Sequence, residues 1–220
     1  MKLLIKAPLL LGFLILSSCG PKTEETIYYD RLPPEFSLEG KSWDSAEFPI
    51  VLNVPLDFNP FNTALIGATE QWNNALGTKV FEIHYGTTNT QWTKATDPVM
   101  DSISGIYQQF FWSFPTLDYS VLAYTTNLSQ GDRIKQADII FNFSYYNFAD
   151  ADAPPRQFGE NYIDFESVLV HELGHFLGLS HSKIEEDENS VMLPTLRKGE
   201  KRRNLSDQDI LNVRDLYFTL

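Results

Sequence analysis

The sequence predicts a mixed α+β domain, because strand-like and helix-like patterns follow one another along most of its 220 residues. The hydrophobic pattern between residues 48 and 85 predicts a strand, a helix and a second strand. Further strand patterns extend to residue 143, and two helices with capping signals follow. Hydrophobic residues make up 43% of the chain and aromatic residues 14%, which is enough apolar material for a buried core and argues against disorder.

The first predicted unit is a strand, a helix and a second strand. Residues 48–54 form the first strand, in which a proline is tolerated near the start. Residues 62–76 form an amphipathic helix whose apolar side chains recur three and four positions apart, and Gly77 supplies its left-handed end. Residues 79–85 alternate apolar and polar side chains, which predicts the second strand.

The rest of the chain supplies further strands and two more helices. The strand candidates are residues 106–112, 121–126 and 137–143. Asp164 is positioned to cap a helix that runs to Leu177, and Gly178 ends this helix. Ser206 and Asp209 have the spacing of a capping box, so a last helix begins there.

The N-terminus has the pattern of an export signal. Lys2 and Lys6 form a basic segment at the start of the chain. The uncharged apolar run that follows Lys6 is too short to span a bilayer but suits a signal peptide. The run leads into Leu16-Ser-Ser-Cys19, which resembles the lipobox of bacterial lipoproteins, where the signal is cut before a cysteine that is then lipidated. This resemblance predicts a signal peptide at residues 1–18 and a lipid on Cys19. The alternative is an ordinary signal peptide with a cysteine beside its cleavage site.

Domain organisation and location follow from this reading. Residues 19–45 carry the lipidated cysteine and a polar, flexible tether, and residues 46–220 form the folded domain. We expect a monomer in the bacterial cell envelope, lipid-anchored to a membrane through Cys19 and facing the periplasm or the cell exterior. The net charge of −12 argues against a nucleic-acid partner, because phosphate binding needs a basic surface.

The segment from His171 to His181 carries the chemistry, with the pattern H-E-x-x-H-x-x-G-x-x-H. His171 and His175 are four residues apart, so on a helix both imidazoles project from one face and can share a metal ion. Gly178 lets the backbone turn after the helix and brings His181 back as a third ligand. Three protein nitrogens leave one position open for water, which predicts a catalytic zinc rather than a structural one.

Glu172 is predicted to be the general base. Glu172 is adjacent to the ligand His171 and cannot easily bind the same ion. It is instead placed to take a proton from the water that zinc activates and to pass it to the leaving amine. The alternative is a helix whose histidines coincide by chance. Five specified positions within one short segment argue against that alternative.

The zinc motif and its surroundings resemble the matrixin family of the metzincin clan of metallopeptidases. Ser182 after the third histidine and Met192-Leu-Pro194 downstream carry this resemblance. It implies that Met192 forms a methionine turn beneath the metal, and that Pro194 stands where related families have a tyrosine ligand. Further similar stretches are residues 66–72, 120–124, 137–142 and 205–217.

The resemblance also implies a fold and a substrate-binding strand. The expected fold is a metzincin-like catalytic domain: a twisted, mixed five-stranded sheet, mostly parallel with one antiparallel edge strand, with two long helices and a C-terminal helix. Leu122, Ala123 and Tyr124 would lie on the edge strand and bind an extended peptide through its backbone. An ordinary edge strand is the alternative.

The expected cofactors and regulation differ from the family pattern. After signal removal no cysteine other than Cys19 remains, so latency through a cysteine on the zinc is not expected. We expect one catalytic zinc. Asp150 and Asp152 could bind calcium, although a polar loop is the simpler reading. The basic stretch of residues 197–203 is expected to be a solvent-facing loop.

The sequence therefore predicts an extracytoplasmic zinc-dependent endopeptidase acting on protein or peptide substrates. The alternative function is a surface or periplasmic binding lipoprotein on an inactive metalloprotease scaffold. The presence of all three histidines and of Glu172 favours the enzyme.

Overall fold

The structure is a computed structural model that describes residues 27–28, 40–86, 102–112, 118–154, 156 and 161–218. The predicted signal peptide and Cys19 lie outside these residues. Within the described ranges, no helix combines the length and apolar character that a membrane crossing requires.

The described residues form nine strands and three α-helices. The strands are β1 (Ile27–Tyr28), β2 (Ile50–Val54), β3 (Phe81–Tyr85), β4 (Gly105–Gln109), β5 (Ala123–Gln130), β6 (Arg133–Asn142), β7 (Phe148–Ala149), β8 (Ile163–Asp164) and β9 (Thr195–Leu196). The helices are α1 (Asn62–Leu76), α2 (Phe165–Phe176) and α3 (Asp207–Phe218), with short 3₁₀ turns at Ser45–Glu47 and Leu56–Phe61.

Five of these strands form one sheet in the order β3-β2-β4-β6-β5. The first four run parallel, and β5 pairs antiparallel with β6 at the edge. The expected α+β fold with a mostly parallel sheet and one antiparallel edge strand is therefore confirmed. The interior strand β4 is buried along its whole length, which indicates that both of its faces are covered.

The core lies between the sheet and the helices α1 and α2. Trp72 on α1 is fully buried, and its indole nitrogen donates to the carbonyl of Val170 on α2 at 3.0 Å. At the start of α2, Phe165 stacks on Phe141 of β6 with ring centroids 4.6 Å apart. These large rings bury apolar area and fix the position of α2 against the sheet, and the candidate site is built on α2.

The folded part of the chain begins before residue 46. Trp43 is buried, its ring stacks on Phe176 at 5.3 Å, and its indole nitrogen donates to the Phe176 carbonyl at 2.7 Å. The predicted tether of residues 19–45 is therefore wrong at its C-terminal end, because Trp43 belongs to the core around the end of α2. Further upstream, β1 pairs antiparallel with β9, and the remaining tether residues before Gly40 lie outside the described part.

Gly178 ends α2 as predicted, and the structure shows two reasons why glycine is needed there. Its φ of +101° lies in a region that side chains disfavour. A Cβ at this position would also overlap the carbonyl oxygen of Lys41, which belongs to the segment next to Trp43. The turn toward His181 therefore depends both on backbone freedom and on close packing of two backbones.

We predict that Gly178→Ala destabilises the protein by about 3 kcal/mol or more, because the positive φ and the overlap with backbone act together. Gly131→Ala is the matched control: its φ is +60°, and nothing lies within 4 Å of an added Cβ. That variant should lose only about 1 kcal/mol. Urea unfolding measures both changes, and equal losses would show that the contact with Lys41 is unimportant.

Candidate metal centre

Helix α2 places two of the predicted ligands side by side. Asp164 caps the helix by accepting a hydrogen bond from the Ser167 amide at 3.1 Å, as the sequence predicted. His171 and His175 then lie one turn apart on the same face, which is the spacing that points two imidazoles at one metal ion. After Gly178, the chain reverses and brings His181 to them. The ligand atoms of the three histidines lie within 4.8 Å of one another.

Backbone carbonyls fix the orientation of two of the rings. Nδ1 of His171 lies 2.7 Å from the carbonyl of Val191, and Nδ1 of His175 lies 2.8 Å from that of Leu179. A carbonyl only accepts, so both Nδ1 atoms carry the proton and both Nε2 atoms present a lone pair. These are the tautomers that metal-binding histidines adopt when a second group holds the ring.

The arrangement of the Nε2 atoms fits a cation. The Nε2 atoms of His171 and His175 face each other at 3.0 Å, and two neutral imidazoles of these tautomers cannot form a hydrogen bond there. Nε2 of His181 is buried without a hydrogen-bond partner among the described residues. Three nitrogen ligands of this kind suit zinc, which would bind at their meeting point.

Burial keeps the three rings neutral. Desolvation lowers the pKa of His171 well below its usual value, with the neighbouring histidines adding to the shift. Burial likewise lowers the pKa of His175 to about 4 and that of His181 to about 3. The rings are therefore uncharged near neutral pH, and a nitrogen lone pair of each is available for a metal without loss of a proton.

Met192 lies against α2 between the first two histidines. Its side chain is buried, and its sulfur packs against Gly174, between His171 and His175 on α2. A Cβ on Gly174 would overlap that sulfur, so this glycine allows the turn to approach the helix closely. The carbonyl of Met192 accepts a hydrogen bond from the Ser182 amide at 2.9 Å, which ties the turn to the chain just after His181. Pro194 follows, half-buried, directly before β9.

Asp209 supports this turn, a role that the sequence analysis did not identify. It is fully buried, and its carboxylate accepts hydrogen bonds from the Val191 amide at 2.9 Å and from the Ser190 hydroxyl at 2.6 Å. It also completes the predicted capping box with Ser206. Since the Val191 carbonyl holds His171, Asp209 connects α3 to a metal ligand. The capping-box spacing located Asp209 but gave no sign of its second set of partners.

Glu172 lies on α2 between the ligands and is fully buried. Its Oε2 atom lies 2.7 Å from the hydroxyl of Thr125 on β5, and its backbone carbonyl lies 3.1 Å from the same hydroxyl. The predicted general base is therefore held close to the edge strand of the sheet. Thr125 did not figure in the sequence analysis.

The residues predicted to bind substrate lie beside this contact. Ala123 and Tyr124 begin β5, and Leu122 immediately precedes it. Leu122 and Ala123 are fully buried, and the Leu122 carbonyl accepts a hydrogen bond from the Asn142 amide at 2.9 Å. The structure confirms that β5 is an edge strand, and its role in substrate binding stays a prediction.

Arg203 lies at the centre of an ion-pair cluster at the start of α2. It contacts Asp164 at 2.8 Å, Asp152 at 2.7 Å, Asp150 at 2.8 Å and Glu166 at 3.1 Å. The expectation that the basic loop faces solvent is thus wrong at Arg203, because four carboxylates draw this side chain against the helix. Calcium binding by Asp150 and Asp152 stays a prediction.

Comparison with known proteins extends these observations. The family described as Matrixin matches residues 68–218. Metalloendoproteinase 2-MMP of Arabidopsis thaliana is 46% identical over 55 residues, which are 25% of this chain and 14% of that protein. Matrilysin of Homo sapiens is 43% identical over 56 residues, or 25% of this chain and 20% of the relative. Interstitial collagenase B of Mus musculus is 30% identical over 156 residues, covering 48% of this chain and 33% of the relative.

The fold and the three-histidine centre over a methionine turn are those of a zinc metallopeptidase domain. Since the family match covers more than half of its length, the chain belongs to the matrixin family. The chain spans only a small part, 14% to 33%, of the length of the relatives named above.

We predict that Asp209→Asn weakens zinc binding by about 10- to 100-fold, because an amide nitrogen would replace one oxygen that accepts from the Val191 amide or the Ser190 hydroxyl. Competition with a chromophoric chelator measures the affinity. Asp207→Asn is the matched control, since it removes the same charge from an exposed position in the first turn of α3. Equal affinities for the two variants would exclude a supporting role for Asp209.

Proposed function

We propose that this protein is an extracytoplasmic endopeptidase that hydrolyses peptide bonds with one zinc ion. The observation that carries the proposal is the convergence of His171, His175 and His181 on one point, with Glu172 on the same helix. The matrixin relatives include proteins named as metalloendoproteinases and a collagenase, which supports a protein substrate.

The chain's own residues divide the chemistry between them. Bound at the three histidines, zinc would activate a water molecule and polarise the scissile carbonyl. Glu172 would accept the proton from the attacking water and then deliver it to the leaving amine, so the side chain ends each cycle ionised. Its burial strengthens this proton transfer, because the carboxylate acts in a medium of low dielectric constant.

The edge of the sheet gives a way to hold an extended peptide. β5 pairs with β6 on one side only within the described strands, and Thr125 of β5 contacts the proposed base directly. A peptide that adds alongside Leu122, Ala123 and Tyr124 would lie next to Glu172. Calcium, if bound by Asp150 and Asp152, would act on stability rather than on the reaction.

The N-terminal sequence supports a location outside the cytoplasm. The apolar run after Lys2 and Lys6, followed by Cys19, is the basis for proposing a signal peptide, a lipid on Cys19 and attachment to the bacterial cell envelope. The domain would then face the periplasm or the exterior and act as a monomer on protein or peptide substrates.

We predict that Glu172→Gln retains about one zinc per chain and lowers kcat for an unfolded protein substrate by at least about 1,000-fold, because the amide cannot accept the proton. Glu186→Gln, in an exposed position of the loop after His181, should keep full activity. Metal analysis and a peptide-cleavage assay are the measurements. Zinc binding without cleavage by the unaltered protein would favour the binding lipoprotein on an inactive scaffold.

We predict that Cys19→Ser moves the protein from the membrane fraction to the soluble extracytoplasmic fraction when it is expressed in a bacterium, because the side chain that carries the lipid is lost. Labelling with a radioactive fatty acid should be present in the unaltered protein and absent in the variant. Unchanged membrane association and the absence of label in both proteins would exclude the lipid anchor.

A further inference from the structure

Thr125 makes a contact that neither the zinc motif nor the methionine turn explains. It lies on β5, and its side chain is almost fully buried, with 1% exposure. Its hydroxyl lies 2.7 Å from Oε2 of Glu172 and 3.1 Å from the carbonyl oxygen of the same residue. The two residues are 47 positions apart in the sequence, so the contact exists only because β5 packs against α2.

The chemistry of the three atoms fixes the direction of the hydrogen bond. An ionised carboxylate and a backbone carbonyl can only accept, so the Thr125 hydroxyl is the donor to both. It has one proton, and the shorter distance favours the carboxylate. The distance of 2.7 Å is that of a well-formed O–H···O hydrogen bond.

Thr125 is also well suited to hold the carboxylate in one orientation. Its side chain is branched at Cβ, which restricts the rotation of χ1. Its backbone is fixed in the sheet, where it pairs with Ile139 of β6. A rigid donor bound to one carboxylate oxygen limits the rotation of the Glu172 side chain and gives its other oxygen a constant direction.

We propose that Thr125 is a positioning residue for the proposed peptidase reaction, holding the Glu172 carboxylate aimed at the water molecule that it deprotonates. This proposal rests on the proposed peptidase activity. A helix alone leaves a glutamate side chain several rotamers. The edge strand removes that freedom, so the same strand that would bind substrate also orients the base.

Substitutions at position 125 separate the hydroxyl from the shape of the side chain. Thr125→Val keeps the branched shape and removes the donor, and we expect kcat to fall by about 10- to 100-fold with KM changed less than about three-fold. Thr125→Ser keeps the donor and should recover most of the activity. Thr126→Val is the matched control, since Thr126 is the next residue of β5, is also buried, and points to the opposite face of the sheet. It should leave kcat within about two-fold.

A binding measurement tests the same role without turnover. Acetohydroxamic acid is a small zinc ligand whose own hydroxyl can donate to a correctly aimed Glu172. Titration into the zinc-loaded full chain should give an affinity about ten-fold weaker for Thr125→Val than for the unaltered protein, Thr125→Ser or Thr126→Val. Zinc content should be equal in all four proteins.

Turnover and hydroxamate affinity together distinguish a failure of the proposed peptidase activity from a failure of the positioning role of Thr125. If the unaltered protein binds zinc and acetohydroxamic acid but cleaves no peptide, the proposed activity is wrong, and the affinities still report on Thr125. If Thr125→Val matches the unaltered protein in hydroxamate affinity, or if Thr126→Val loses as much as Thr125→Val, the positioning role is wrong. A loss shared equally by Thr125→Val and Thr125→Ser would also contradict it, because the hydroxyl would then be irrelevant.

Discussion

The crowding of three neutral imidazoles, two of them buried and one half-buried, is the physical constraint on which the candidate metal centre depends. Two of them face each other through lone pairs at 3.0 Å, and the third has a buried nitrogen with no hydrogen-bond partner in the described chain. Such a cluster is unfavourable by itself, because burial removes the water that would otherwise bind each nitrogen. A cation at the centre turns each unfavourable group into a ligand. A cation bound there would therefore stabilise the folded domain as well as supply chemistry.

The local and distant parts of the site differ in how far sequence predicts them. His171, His175 and the turn at Gly178 follow from spacing along one helix, so a single sequence is enough to bring them together. The helices α1 and α2 could be predicted for the same reason, from periodicity and from Asp164 as a cap. These features depend on residues within a few positions of each other, where backbone geometry leaves little choice.

The remaining features depend on tertiary contacts that no periodicity encodes. Trp43 looked like part of a polar tether, because its partner Phe176 is 133 positions away. Arg203 looked like a solvent-facing charge, since the carboxylates around it come from several separate segments. Thr125 had no distinguishing feature in the sequence, because threonine is common in strands and only the packing of β5 on α2 brings it to Glu172.

Asp209 on α3 and Thr125 on β5 act on two adjacent residues of α2. We expect the first to affect metal binding and the second to affect proton transfer. The chain of contacts from Asp209 through Val191 ends on a ring nitrogen of His171, so a change there alters the direction of a ligand. Thr125 contacts Glu172 instead, the residue that we propose as the general base. No described contact joins Asp209 to Thr125 directly. Perturbing the first should change zinc affinity more than turnover, and perturbing the second should do the reverse. A combined variant should then show nearly additive losses, because each acts on a different step.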